Sequence, residues 1–136
     1  MTTTVNTLLG AALLAASTLT TAAALDGSAP LLCAVTDTVS CDAQGACVEG
    51  PAEAVNLPVF LKIDVPNKVA QSVRAGGEQR TSEILSMHAE GGSLVLLGVD
   101  TGAGWSTTIG ESDGRLTLSV SGAGIGYLAF GSCIPQ

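Results

Sequence analysis

The chain has 136 residues, with 12 acidic side chains against 5 basic ones, a net charge of −7, 17 glycines, 4 cysteines and only 1 Trp, 1 Tyr and 2 Phe. That length suits one small domain. A negative surface repels phosphate and so few rings give little base stacking, which excludes nucleic acid as a partner, while a hydrophobic share of 46% excludes a disordered acidic tail.

Residues 1–24 carry no charged side chain, and Leu8 to Ala16 form a compact apolar run. The run leads into Ala22-Ala23-Ala24, which supplies the small residues of an A-x-A cleavage site, and the charged part of the chain begins directly after it at Asp26. The pattern predicts a secretory signal peptide over residues 1–24, cut before Leu25, and a single domain over residues 25–136. The protein is then exported, periplasmic or secreted, with no stable membrane span in the mature chain. A lipidated Cys33 is rejected because Leu32, not a small residue, precedes it.

Four cysteines in a small exported domain read as two disulfides, for which three connectivities exist. Cys41 and Cys47 bracket the turn-forming Asp42-Ala43-Gln44-Gly45-Ala46, which brings their sulfurs together. That pairing leaves Cys33 for Cys133, a bond that ties the first strand of the domain to the last. The cysteine spacings lack the paired C-x2–4-C knuckles of structural zinc sites.

From Leu31 the pattern has period two. Leu31, Cys33, Val35, Val39 and Cys41 fall on one face, and Ala34, Thr36, Thr38 and Ser40 on the other. A loop follows, then Pro51 to Asn56 as one helical turn. Val59, Leu61, Ile63 and Val65 alternate with Phe60, Lys62 and Asp64, and Pro66-Asn67 turns the chain into a more polar, edge-like strand at 68–74. Turn signals then recur at Ala75-Gly76-Gly77-Glu78, Glu90-Gly91-Gly92, Asp100 to Gly104, Ser112-Asp113-Gly114 and Gly122-Ala123-Gly124. Between them lie strands near 80–89, 93–99, 105–110, 115–121 and 126–133. The expected fold is all-β: about eight short antiparallel strands in a meander that closes into a small barrel, since an open sheet would leave exposed edges. A β-sandwich is the alternative. Leu94, Leu96, Trp105, Ile109, Leu116, Leu118, Val120, Leu128 and Phe130 are the expected core.

At Asn56-Leu57-Pro58 with Phe60-Leu61-Lys62-Ile63-Asp64, at Gly104-Trp105-Ser106 and at Phe130-Gly131-Ser132-Cys133, the chain resembles small exported bacterial proteins without an assigned function. The likeness covers most of residues 25–136 and implies a shared envelope fold but no chemistry. The expected architecture is also similar to that of periplasmic lysozyme inhibitors, whose loop motif is of the Ser-Gly-x-Lys/Arg-Tyr type. Ser121-Gly122-Ala123-Gly124 lacks both the basic residue and the tyrosine, so no inhibitory residue carries over.

The catalytic motifs are weak. Asp100-Thr101-Gly102-Ala103 after an apolar strand looks like the catalytic turn of retropepsin-like aspartic proteases, in which facing aspartates share a proton. Only 36 residues follow Asp100, and Asp-x-Gly is also ordinary hairpin chemistry. His88 is the one histidine, placed near a strand end, where solvent exposure is the simple account. Gly122-Ala123-Gly124-Ile125-Gly126 lacks the G-x-G-x-x-G spacing and a following helix, so it reads as a hairpin loop. No cofactor and no metal are expected.

What remains is a noncatalytic exported binding domain, for a cationic protein partner or a small apolar ligand, with Trp105 and Tyr127 as candidate contacts. A structural or assembly accessory of the cell envelope, acting through the edge at 68–74, is the alternative, and the protease a remote one. A cavity of a few hundred cubic ångströms would favour the ligand.

Overall fold

A computed structural model describes residues 24–73 and 79–136. The proposed leader and the turn at Ala75-Gly76-Gly77-Glu78 therefore lie outside the described residues, apart from Ala24. The remainder forms nine antiparallel strands: β1 (Leu31–Asp42), β2 (Cys47–Gly50), β3 (Phe60–Asp64), β4 (Val69–Val73), β5 (Thr81–Glu90), β6 (Ser93–Asp100), β7 (Ala103–Gly110), β8 (Arg115–Gly122) and β9 (Ile125–Pro135). A 3-10 turn over Ala52–Val55 is the only helical element among them.

β1 and β3 to β9 pair each with the next, and β9 returns to pair with β1, which closes an eight-strand barrel. Closure settles the choice between barrel and sandwich. β1 has two partners on its other side, β3 along Leu31–Ala34 and β2 along Thr38–Cys41, so β2 is a hairpin arm outside the ring. The sequence pattern missed β2 because Cys47-Val48-Glu49-Gly50 has no alternation to read.

Both disulfides join directly opposed residues. Cys33 faces Cys133 across the β1–β9 seam, and Cys41 faces Cys47 at the base of the β2 arm. These are the pairs that the cysteine spacing predicts, and no cysteine among the described residues is free. Two disulfides in one small domain suit an oxidising compartment. No helix among the described residues is long and apolar enough to cross a membrane.

The hairpin turns follow local chemistry. Gly91 (φ 61°) and Gly92 (φ 77°) form a two-residue turn between Glu90 and Ser93, and both need the left-handed region that suits hairpin twist. At the β7–β8 turn the Asp113 carboxylate accepts from the Arg115 amide at 3.0 Å.

Interior positions are filled by Leu31, Cys33, Ile63, Ile84, Leu94, Leu96, Ile109, Leu116 and Cys133, all nearly sealed from solvent. They concentrate toward the end formed by the β3–β4, β5–β6 and β7–β8 turns. Leu25 packs on this core, and Gly27 is buried, with room for a Cβ only at 3.3 Å from Leu94, Met87 and Val65. That end is closed.

Three expectations are corrected. First, strand 68–74 is no edge, because β4 lies between β3 and β5. Second, the alternation of β1 does not run through: a bulge between Val35 and Asp37 leaves Thr36 unpaired and reverses the phase, so Thr38 is buried at 1% exposure while Val39 and Cys41 turn outward. Thr38 meets its buried state by donating to the Gly50 carbonyl at 2.9 Å. Third, Leu128 and Phe130 face outward at 42% and 39% exposure, whereas Ala129 and Cys133 face the core. The buried Cys133 sets the phase of β9, and small residues follow because β9 passes close to the β1 bulge, where a Cβ on Gly131 would collide with the Ala34 backbone. Trp105 and Val120 are half-buried rather than core, for a reason that lies at the other end of the barrel.

Candidate functional site

The open end of the barrel encloses a cavity of about 250 Å³. Its apolar wall comes from Leu57, Leu61, Ala70, Trp105, Leu118 and Val120. Strand alternation delivers these side chains: each stands at an inward position of β3, β4, β7 or β8, and Leu57 is carried in by the segment after the 3-10 turn. That turn ends at Asn56, whose left-handed backbone (φ 54°) redirects the chain over the opening. Arg80, Asp100 and Tyr127 stand at the mouth, and the most buried lining residues are Ile63, Ser72, Thr107 and Leu118. Trp105 and Tyr127, the candidate contacts, are thus brought into one site, together with residues that no sequence motif marked.

Trp105 is held in place from two sides. Its indole N–H donates to Ser82 Oγ at 2.8 Å, and the Ser82 hydroxyl donates to the Val99 carbonyl at 3.3 Å. Its ring occupies the space over Gly98, directly opposite on β6, where any Cβ would collide with it. The indole therefore forms a fixed panel of the cavity and not a mobile flap.

Burial in the mouth raises the Tyr127 hydroxyl above the ordinary value of 10.0; the nearby Arg80 charge opposes this and the Asp100 charge adds to it. Tyr127 is the single tyrosine, so an absorbance titration of tyrosinate reads it alone. The midpoint is expected above that of a free tyrosine and should fall in Asp100→Asn. Since the unfolded chain ionises first, stability is full below about pH 10 and declines as the pH rises from there toward the folded midpoint. Tyr127→Phe should remove that part of the alkaline decline.

Asp100 and Ala103 face each other across a two-residue turn, Thr101 (φ 46°) and Gly102 (φ 83°). The Asp-Thr-Gly run is thus the β6–β7 hairpin turn, with Asp100 at the cavity mouth. Thr101 is a β-branched residue in the left-handed region, a costly choice where Asn is favoured. Thr101→Asn is expected to stabilise the protein by about 0.5–1 kcal/mol, read from chemical denaturation.

The sequence did not anticipate that Ser86 and His88, both on the outer face of β5, lie within 3.0 Å of each other (Oγ to Nε2). A nucleophile–base pair also needs a group that orients the imidazole and a cleft that holds substrate. Among the described residues no carboxylate pairs with His88, which is exposed on the barrel wall away from the cavity.

No family model, characterised protein or solved structure matches the chain. The site is therefore read from its own geometry. On the outside, a shallow groove of about 520 Å³ runs over β1, β8 and β9 beside Gly122, Gly124 and Gly126. Three glycines among its lining residues leave it open to solvent, whereas the interior cavity is lined by side chains that converge from several strands.

Proposed function

We propose that the protein is a noncatalytic exported binding domain that holds one small apolar ligand in the open end of the barrel. The supporting observation is the division of the interior: one end is packed solid and plugged by Leu25 and Gly27, while the other keeps about 250 Å³ lined by Trp105, leucines, Val120 and Ala70. An apolar cavity of about 150 Å³ accepts benzene, so this one has room for a larger ring or a short branched hydrocarbon. Eight-strand barrels have interiors of a size to be filled by side chains or to hold one small ligand. Residues 68–74 do not serve the accessory-protein reading as an edge, because β4 is paired on both sides; the strand with a free outer side is β2.

The test uses the single tryptophan as reporter. Titration with cyclooctane, a neutral hydrocarbon, is expected to give a saturable change in Trp105 emission and a rise in melting temperature. Ala70→Leu, which places a larger side chain in the cavity, should leave the free protein folded and abolish both responses. A hydrocarbon ligand carries no charge, so its affinity should not fall as salt rises; a cationic protein partner would show such a fall. No response from wild type, or an equal response from Ala70→Leu, would contradict the reading.

A further inference from the structure

Thr107 stands at an inward position of β7, opposite Leu96 on β6 and Leu118 on β8. It is 3% exposed, and its hydroxyl makes no hydrogen bond among the described residues. A buried hydroxyl without a partner is costly, and valine, of the same shape, would pack between two leucines without that cost. The other buried hydroxyls differ in this respect. Thr38 donates to the Gly50 carbonyl, and Ser72 Oγ accepts from the Arg80 amide at 2.7 Å. Among the described residues no sealed side-chain polar atom lacks a partner, so the unpaired Thr107 hydroxyl is reached from the cavity that the residue lines. Trp105 N–H and Ser82 are already engaged with each other, and Ser72 Oγ is already an acceptor, which leaves Thr107 as the one hydroxyl in the inner part of the mainly apolar wall, among the described residues, with no partner at all.

We infer that Thr107 is a specificity-determining residue: the cavity takes a ligand with an apolar body and a single neutral hydrogen-bonding group, a hydroxyl or carbonyl, at its inner end. This rests on the ligand-binding reading and narrows its substrate class from hydrocarbon to small alcohol or ketone. A neutral head is required because the inner wall offers no countercharge. Arg80 and Asp100 stand at the mouth, not beside Thr107, and the walls between are Leu61, Leu118 and Val120. An ionised group carried to that depth would lose its water without a partner.

The experiment compares cyclooctane with cyclooctanol, which differ by one hydroxyl, on wild type and Thr107→Val. Binding is followed by Trp105 emission, and the melting temperature of the free protein is recorded. The inference predicts that Thr107→Val weakens cyclooctanol about five- to tenfold, the worth of one buried hydrogen bond, and leaves cyclooctane within twofold. It also predicts a free-protein melting temperature no lower than that of wild type, because no protein hydrogen bond is lost. Thr107→Ser, which keeps the hydroxyl, should retain the preference for cyclooctanol over cyclooctane. Equal losses for both probes, or a lowered melting temperature with unchanged probe ratio, would show that Thr107 serves packing alone. That outcome overturns the inference and leaves the ligand-binding reading intact. Failure of both probes on wild type would overturn the ligand-binding reading itself.

Discussion

Breaking the barrel seam, as Cys33→Ala/Cys133→Ala, is expected to cost about 4–5 kcal/mol. The bond spans 100 residues of sequence, so its loss frees the unfolded chain far more than loss of the Cys41–Cys47 bond, which spans 6. The chain-entropy relation gives about 2 kcal/mol for the shorter loop. The longer bond also sits where β9 returns to β1, the pairing that turns a meander into a barrel. Small domains carry about 5–15 kcal/mol in total, so the seam variant should stand near the edge of folding while Cys41→Ala/Cys47→Ala remains comfortably folded. Guanidinium unfolding of the two variants under non-reducing conditions gives the comparison. Similar losses in both would show that the seam is held by strand pairing and packing with little help from its disulfide.

Gly98→Ala should cost about 2–3 kcal/mol, although alanine is the smallest possible addition. Gly98 is an inward residue of β6, and a Cβ there would meet the Trp105 ring on one side and the Glu83 carbonyl on the other. Neither neighbour yields easily. The carbonyl belongs to β5 next to the bulge at Leu85, and the indole is tied to Ser82. The ring is the softer of the two, so it should tilt into the cavity, break its bond to Ser82 and change both the emission of Trp105 and the room left for a ligand. Adding Trp105→Leu to Gly98→Ala should recover part of the loss, the share due to the ring, and a double-mutant cycle should show coupling of about 1 kcal/mol or more. A neutral Gly98→Ala would contradict the packed geometry of this wall.

The hairpin series was legible because its signals are local. Gly91-Gly92, Thr101-Gly102 and Ala123-Gly124 each mark a turn by the backbone they permit, and the strands between them were placed to within a few residues. Closure and the disulfide pairing were legible together, since Cys33 and Cys133 flank the sheet and can meet only if its ends do. What the sequence hid was phase. Thr36 on β1 and Leu85 on β5 are bulge positions, and each shifts the inside–outside alternation by one residue without leaving a compositional mark. Leu128 and Phe130 read as core for the same reason: hydrophobicity suggested their face, while the buried Cys133 and the close approach at Gly131 dictated the opposite one.

The cavity was only half visible. Trp105 and Tyr127 stood out as rare aromatics, but Leu57, Ala70 and Thr107 became site residues only through the register of four strands and the path of one turn. An empty volume is a property of what side chains fail to fill, and alternation alone cannot show it. The Thr107 hydroxyl is the clearest case: threonine in a strand is unremarked in sequence, and only the placement of an unpartnered hydroxyl on the cavity wall of a buried residue sets it apart.

The central claim is that the open end of the barrel, and not its outer wall, receives the ligand. Two-dimensional NMR of the labelled protein, titrated with cyclooctane, tests it most directly. The account predicts shifts in the Trp105 indole N–H and in the methyl groups of Leu61, Leu118 and Val120, with the methyl groups of Leu128 and Val99 and the ring protons of Phe130 on the outside unmoved. Shifts confined to the outer residues, or none at saturating hydrocarbon, would contradict it.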